Sequence, residues 1–288
     1  MQKIISITGS TGFVGSNLKK YFLKLGYHVN CLVREVPILV EENVSYFRYQ
    51  LEHPLSETDF PAASITFHCA FVQYSNTCKN AAEINIYGTK NLIAMCRIKS
   101  IKMVFFSSLS AHSAAESNYG RNKLYLETLF DLRKDLILKL GLVVGQGGIF
   151  ASMEQTIRKS KILPLIDGGI QPVYIVDIED LMTICKISLE NDIVGKFTIG
   201  KVLPVTLKEL YLLIGQKINR KNYFVPVPST FLMIVLKLAE RLGLKLPFGT
   251  ENLSGLTKSK VWDTGEGMGL FKGHEASSSL SEYMKIEE

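Results

Sequence analysis

Paired cysteines, metal-ligand clusters and long apolar runs are all missing from this sequence. Five cysteines occur in 288 residues, at 31, 69, 78, 96 and 185, an odd number with no C-x-x-C pair. That excludes a disulfide scaffold and points to reduced thiols in a cytoplasmic protein. No grouping of His, Cys and carboxylates has metal-ligand spacing, so no metal is expected. The longest apolar run near the C-terminus, 231–236, falls far short of the ~20 residues that span a bilayer. The opening run Lys3 to Ile7 is too short for a secretory signal and leads into a glycine motif. Internal repeats and low-complexity tracts are absent as well. Thirty-three basic against twenty-seven acidic residues leave a net charge of +6. That excess suits an anionic ligand but is too small and scattered to imply nucleic acid. What remains is an ordinary globular composition, 47% hydrophobic and 21% charged. A chain of this length buries roughly three quarters of its unfolded surface without staples.

Over the first two thirds, short β-branched runs alternate with longer helical patterns. Strands are expected at Lys3–Thr8, His28–Val33, Ser45–Tyr49, Ile65–Cys69, Met103–Ser107 and Leu136–Leu140. Helices are expected at Val14–Leu25, Ala81–Ile98 and Arg121–Leu132. Such alternation implies parallel pairing through crossovers, hence a doubly wound α/β sheet. After Gly145–Gly148 the rhythm loosens around Pro164, Gly168, Gly169 and Pro172. Val173–Val176 and a helix at Asp177–Leu189 then read as a return to the sheet. Beyond Lys201 helices dominate, at Thr206–Ile218, Ser229–Leu242 and near Ser279–Met284. The expected division is 1–150, with 171–200 returning to it, and a smaller, mostly helical lobe over 151–288.

Thr8-Gly9-Ser10-Thr11-Gly12-Phe13-Val14-Gly15 spaces glycines by three, after a strand and at the start of a helix. The first glycine permits a tight turn, the second lets backbone approach a pyrophosphate, and the third lets helix and strand pack closely. The N–H groups and positive dipole end of the helix then face the phosphates. Strand, loop and helix all fall where a dinucleotide site needs them. At the end of the second strand stands Arg34, where a carboxylate would select NAD and an arginine attracts a 2′-phosphate. The expected cofactor is therefore NADP, with NAD kept open by the neighbouring Glu35.

Met103 to Ser108 reads as a buried strand ending in two hydroxyls, and Tyr119 follows Ser108 by eleven residues. Tyr119 and Lys123 are four apart and share one helix face. A lysine ammonium beside a phenol favours the phenolate, and an adjacent nicotinamide cation adds to the effect. Ser108 is placed to hydrogen-bond a substrate oxygen near Tyr119.

With these motifs in hand, the chain resembles the short-chain dehydrogenase/reductase superfamily, in its extended or atypical branch, the NAD-dependent epimerase/dehydratase family. The resemblance rests on T-G-x-x-G-x-x-G at 8–15, Phe67-His68-Cys69-Ala70, Asn85 to Thr89, Ser107-Ser108 and Tyr119-x-x-x-Lys123. It extends through Gly141–Gly145 and Val176–Leu181, nearly the whole length. It implies a Rossmann sheet with a substrate lobe, Tyr119 as catalytic acid/base, Lys123 as its activator and ribose ligand, and Ser108 polarising the substrate oxygen. By the same resemblance Ala70 and Phe71 line the cofactor, Asn85 is counted with the cofactor-binding residues or simply steadies the backbone, and Leu140 and Leu142 contact the nicotinamide end. Three departures stand out. Gln50-Leu51 replaces the usual adenine-binding aspartate, Lys139-Leu140 replaces Arg-Pro, and the interval from Ser108 to Tyr119 is short. The short interval is similar to atypical members found with polysaccharide biosynthesis genes.

Other candidates fare less well. A Ser–His hydrolase built on His112 lacks a G-x-S-x-G elbow, and His112 is expected in a loop near the cleft mouth. His68, ending an apolar strand, reads as a satisfied core or cofactor-adjacent histidine. Lys217, Arg220 and Lys221 read as a solvated basic face. The helix at 229–242 is apolar all round, implying burial on more than one side. Packing within the lobe, a homodimer contact and a membrane-facing patch all stay open for it. The function expected is an NADP-dependent oxidoreductase or epimerase working on a secondary alcohol or ketone carbon, with a nucleotide sugar as substrate. A non-catalytic cofactor-binding subunit and a reductase of apolar ketones are the alternatives.

Overall fold

The computed structural model describes residues 3–271 apart from 39–40, 59, 75–77, 245–248 and 258–259. The chain runs β1 (Ile4–Thr8), α1 (Phe13–Lys24), β2 (His28–Val33), β3 (Val44–Arg48), β4 (Ile65–His68), α2 (Ala81–Ile98) and β5 (Lys102–Ser108). It continues through α3 (Asn118–Glu127), β6 (Leu136–Leu140), β7 (Leu142–Val144), α4 (Gly148–Lys159) and β8 (Ile162–Ile166). Next come β9 (Pro172–Val173), β10 (Ile175–Asp177), α5 (Ile178–Glu190), β11 (Gly195–Ile199) and β12 (Val205–Thr206). The last described elements are α6 (Leu207–Lys217), β13 (Tyr223–Val227), α7 (Ser229–Arg241), α8 (Thr250–Thr257) and α9 (Gly265–Leu270).

Seven strands form one sheet in the order β11-β6-β5-β4-β1-β2-β3, and every pairing in it is parallel. The order reverses between β1 and β4, which opens a crevice at their carboxyl ends, where such sheets bind ligands. Parallel strands are covered on both faces, so they read as nearly continuous β-branched and aromatic runs. On one face Leu18 and Phe22 of α1 and Leu181 and Cys185 of α5 pack on Ile5, Ile7, Phe67 and Phe106. On the other, Leu92 and Cys96 of α2 and Leu126 of α3 pack on Met103, Phe105 and Ile137. Asp135, wholly buried at the turn into β6, accepts from Met103 N at 3.2 Å and pairs with Arg97. That ties the start of β6 to β5 and α2.

The later part of the chain departs from its expected outline. Val173–Val176 does not rejoin the large sheet: β10 pairs with β7 in a separate two-stranded ribbon, and β11 is the strand that returns. The mostly helical lobe also carries two small strand pairs, β8 with β13 and β9 with β12. The expected helix at Arg121–Leu132 starts earlier and ends earlier, since the Ser117 hydroxyl accepts from Gly120 N at 3.0 Å and caps α3 ahead of Tyr119. Burial on more than one side of the 229–242 helix is also corrected. Leu236 and Ala239 of α7 are buried, while Phe231, Ile234, Leu238 and Leu242 are each more than half exposed. The helix expected near Ser279–Met284 lies outside the described residues.

Candidate active site

The glycine loop bridges β1 and α1. Gly9 adopts φ +66°, and a side chain there would place its Cβ 2.8 Å from Ala70 N at the end of β4. A Cβ at Gly15 would overlap the Gly9 carbonyl, so α1 can lie against the turn only without one. Gly12 brings no side chain to cap α1, and no acid stands in the first turn. The helix thus begins with backbone N–H groups and its positive dipole end facing the crevice, a cradle suited to a pyrophosphate. The Phe13 ring occupies the space that side chains at Gly145, Gly147 and Gly148 would claim, locking this loop to the one after β7. The Ser10 hydroxyl turns to Cys31 on β2, Thr11 is exposed and Val14 is half-buried.

Thr8 ends β1 with a hydroxyl that accepts from both Cys69 N and Ala70 N, each at 3.1 Å. Its own proton is therefore directed to His68 Nδ1 at 2.8 Å. The imidazole must then carry hydrogen on Nε2, which donates to Thr89 Oγ1 at 3.1 Å. Burial holds His68 down at about 3, so it is a neutral strut under the crevice rather than a proton shuttle.

Arg34 and Glu35 are exposed just past β2, and Gln50 is half-buried after β3. Leu51 is buried where Gly88 of α2 leaves room for it. Asn85 of α2 is buried. Its amide grips the Val72 backbone twice, accepting from N at 2.7 Å and donating to O at 3.0 Å, and donates to Asn122 as well. These bonds let Asn85 hold the Val72 backbone beside Ala70 and Phe71.

Ser108 closes β5, and Tyr119 is the second residue of α3. Ser110 N donates to Ser108 Oγ at 3.1 Å, which leaves the hydroxyl proton for the Tyr119 oxygen, with which it hydrogen-bonds. Lys123, one turn further along α3, donates to the Phe106 carbonyl at 2.7 Å. The Phe71 ring joins the pair, meeting Tyr119 edge-on at 5.4 Å and carrying the Lys123 ammonium 4.4 Å above its face. Burial pushes Lys123 down to about 7. In the chain by itself burial raises Tyr119, and the Ser108 hydroxyl opposes that rise. Leu140 pairs across strands with Ser108, and half-buried Leu142 follows it beyond Gly141.

Three features of the site escaped the sequence reading. Glu127, one turn beyond Lys123, pairs with Lys139 of β6 at 2.9 Å and accepts from Ser107 Oγ at 2.6 Å. The four-residue spacing from Tyr119 to Lys123 to Glu127, and a lysine inside an apolar strand, were the available signals. Lys139 also donates to the Ala111 carbonyl and stands 5.1 Å over the Trp262 ring. His112 is buried in the same loop, 6.3 Å from Trp262, not open at a cleft mouth. Finally, Glu251 of α8 accepts from Tyr119 N at 3.1 Å and from Asn118 Nδ2 at 2.8 Å, for which no sequence signal exists.

Comparison with known proteins bears on the family and the fold. A UDP-glucose 4-epimerase from Vibrio cholerae is 28% identical over 269 residues, covering 79% of this chain and 80% of that protein. Among solved structures, an NAD dependent NDP-hexosamine 5,6-dehydratase, TunA, involved in tunicamycin biosynthesis, has a TM-score of 0.70 at 15% identity. It covers 98% of this chain and 95% of its own. MoeE5 in complex with UDP-glucuronic acid and NAD has a TM-score of 0.65 at 19% identity, covering 78% and 85%. At such identities these two likenesses speak to the fold alone. The sequence model of the NAD dependent epimerase/dehydratase family matches residues 5–191, from β1 through α5, and the chain belongs to that family of enzymes.

Proposed function

We propose that the chain moves a hydride and a proton at a secondary alcohol or ketone carbon of a nucleotide sugar, as an epimerase or oxidoreductase of surface polysaccharide biosynthesis. The observation that carries this reading is the Ser108 hydroxyl held on the Tyr119 phenol, with Lys123 one turn behind and the phosphate cradle of α1 opposite. A non-catalytic cofactor holder has no use for that hydroxyl pair. In this reading residues 1–150, with 171–200, bind the cofactor, and 151–288 bind the substrate.

The cofactor's phosphates would lie on Gly9, Ser10, Thr11, Gly12, Phe13, Val14 and Gly15, its adenine side near Arg34, Gln50 and Leu51, and its nicotinamide side near Ala70, Phe71, Leu140 and Leu142. When bound, it supplies the acceptor and donor of hydride. Exposed Arg34 favours the 2′-phosphate of NADP over NAD. At neutral pH the raised phenol of Tyr119 is protonated, the form that gives a proton to a ketone oxygen. Running in the other sense, Tyr119 must take a proton from a hydroxyl, which requires positive charge around the phenolate. The N-terminal end of α3 and the Lys123 ammonium supply part of that charge. Ser108 holds the same substrate oxygen, so that proton transfer occurs along a preset hydrogen bond.

The test is turnover of UDP-hexoses by the purified chain and by Tyr119→Phe, with nicotinamide reduction and epimeric product both followed. The variant is expected to lose at least ~100-fold in kcat while binding cofactor as before. Undiminished turnover in Tyr119→Phe overturns the assignment.

A further inference from the structure

Helix α7 presents Phe231, Ile234, Val235, Leu238 and Leu242 to solvent. At 100° per residue these five positions form one stripe about 100° wide along the helix. The opposite face, with Leu232, Met233 and Leu236, is packed on Ile166, Leu207 and Leu253. A helix of the lobe therefore has two apolar faces, of which the described residues cover only one. Charge is sorted in the same sense. Glu240 turns inward, where its carboxylate accepts from Thr250 N at 2.8 Å and Thr250 Oγ1 at 2.9 Å. Lys237 and Arg241 stay exposed on the flank of the apolar stripe, with no carboxylate partner among the described residues. The acid at the far end, Asp167, accepts from Ser229 N at 2.8 Å and caps the start of the helix. The outward face thus carries apolar side chains and positive charge, with its own acid withdrawn.

We propose that α7 is an interfacial helix by which the protein docks on an anionic lipid surface. Its apolar stripe enters the boundary between headgroups and acyl chains, and Lys237 and Arg241 meet the lipid phosphates. A second copy of the chain fits this face poorly. Two-fold pairing would bring four positive charges, Lys237 and Arg241 from each copy, to the flanks of one shared apolar seam, with no acid among the described residues of either stripe to offset them. Docking also has a direction, because α7 leans on α8 through Glu240 and Thr250, and Glu251 of α8 holds the first turn of α3 at Tyr119. A bilayer seated on α7 is thus linked to the first turn of α3 through α8.

The test is co-sedimentation of the full chain with phosphatidylcholine vesicles, with and without phosphatidylglycerol. The chain is expected on the anionic vesicles only, and to leave them as salt is raised. Lys237→Gln with Arg241→Gln should lower partitioning about 30-fold, a value that follows from ~1 kcal/mol per basic residue at such a surface. Ile234→Asp with Leu238→Asp should abolish it, with the thermal melting profile and its shift by NAD unchanged because both side chains are exposed. Equal binding to both vesicle types, or to neither, overturns the proposal. So does a dimer, measured by sedimentation velocity, that the Ile234→Asp, Leu238→Asp variant dissociates, since that result gives the face to a second copy.

Discussion

The Lys139 ammonium and the Glu127 carboxylate meet at 2.9 Å almost out of reach of solvent, directly behind the strand end that carries Ser108. The pair joins β6 to α3, and Lys139 reaches on to the Ala111 carbonyl in the loop between Ser108 and Tyr119. Breaking a buried pair from one side leaves a charge without its counter-ion, whereas removing both partners does not. Lys139→Met is therefore expected to cost about 3 kcal/mol in urea unfolding, the low end of the usual range. Lys196, 3.4 Å from the other Glu127 oxygen, still shields the carboxylate. Adding Glu127→Gln should recover most of that loss, and a double variant that is weaker still would mean the two residues act independently.

Gly15 isolates the cofactor cradle from general stability. Ala at 15 must push α1 off the Gly9 carbonyl, an overpacking worth about 1–3 kcal/mol. Because the proposed phosphate contacts are N–H groups of α1, Gly15→Ala should melt lower and also lose the rise in melting temperature that NAD or NADP gives the parent chain. An unchanged ligand-induced rise would place the dinucleotide elsewhere.

Arg34 bears on the choice between the two cofactors. It stands exposed past β2 with Glu35 beside it. Arg34→Ala should weaken NADP about tenfold or more and leave NAD within about twofold, since only the former has a 2′-phosphate for the guanidinium to hold. Equal losses in a binding titration would remove the basis for NADP preference.

Features set by local spacing were legible in the sequence; features made by long-range pairing were not. The glycine loop, the Ser108 strand end and the Tyr119–Lys123 step each depend on neighbours a few residues away, so pattern alone revealed them. His68 was legible as a buried neutral histidine, but its partners Thr8 and Thr89 come from elements brought together only by the sheet. Glu127 and Lys139 each carried a hint, yet nothing in either segment names the other. Glu251 reaches Tyr119 N across 132 residues, beyond any periodicity. In α7 the apolar residues occupy both faces, and hydropathy cannot say which face the rest of the chain will cover.

His68 predicts an acid-side loss of stability. Its folded value is held at about 3, below the ordinary histidine value of 6.5. Between those limits the unfolded chain binds a proton that the folded chain refuses, so stability falls as pH drops from about 6.5 toward 3. His68→Gln does not titrate and should lack this component. The gap between parent and variant in urea unfolding should therefore shift against the parent as the pH is lowered through that window.

Lys123 predicts the corresponding trend on the alkaline side. Burial lowers its folded value to about 7 from the ordinary lysine value of 10.5. Below pH 7 the ammonium is present in both states, and its burial cost is felt in full. Between pH 7 and about 10 the unfolded chain keeps the proton while the folded chain releases it, so unfolding becomes harder as pH rises. Lys123→Met has no such proton. The stability of the parent relative to this variant should climb across that interval in the absence of cofactor, a comparison that cancels the alkaline titration of Tyr119 and Lys139. A flat difference would mean that the Phe106 carbonyl and the faces of Phe71 and Phe105 keep the ammonium charged throughout. Lys123 would then enter catalysis fully charged, and the deficit of positive charge around the phenolate would be smaller than burial alone implies.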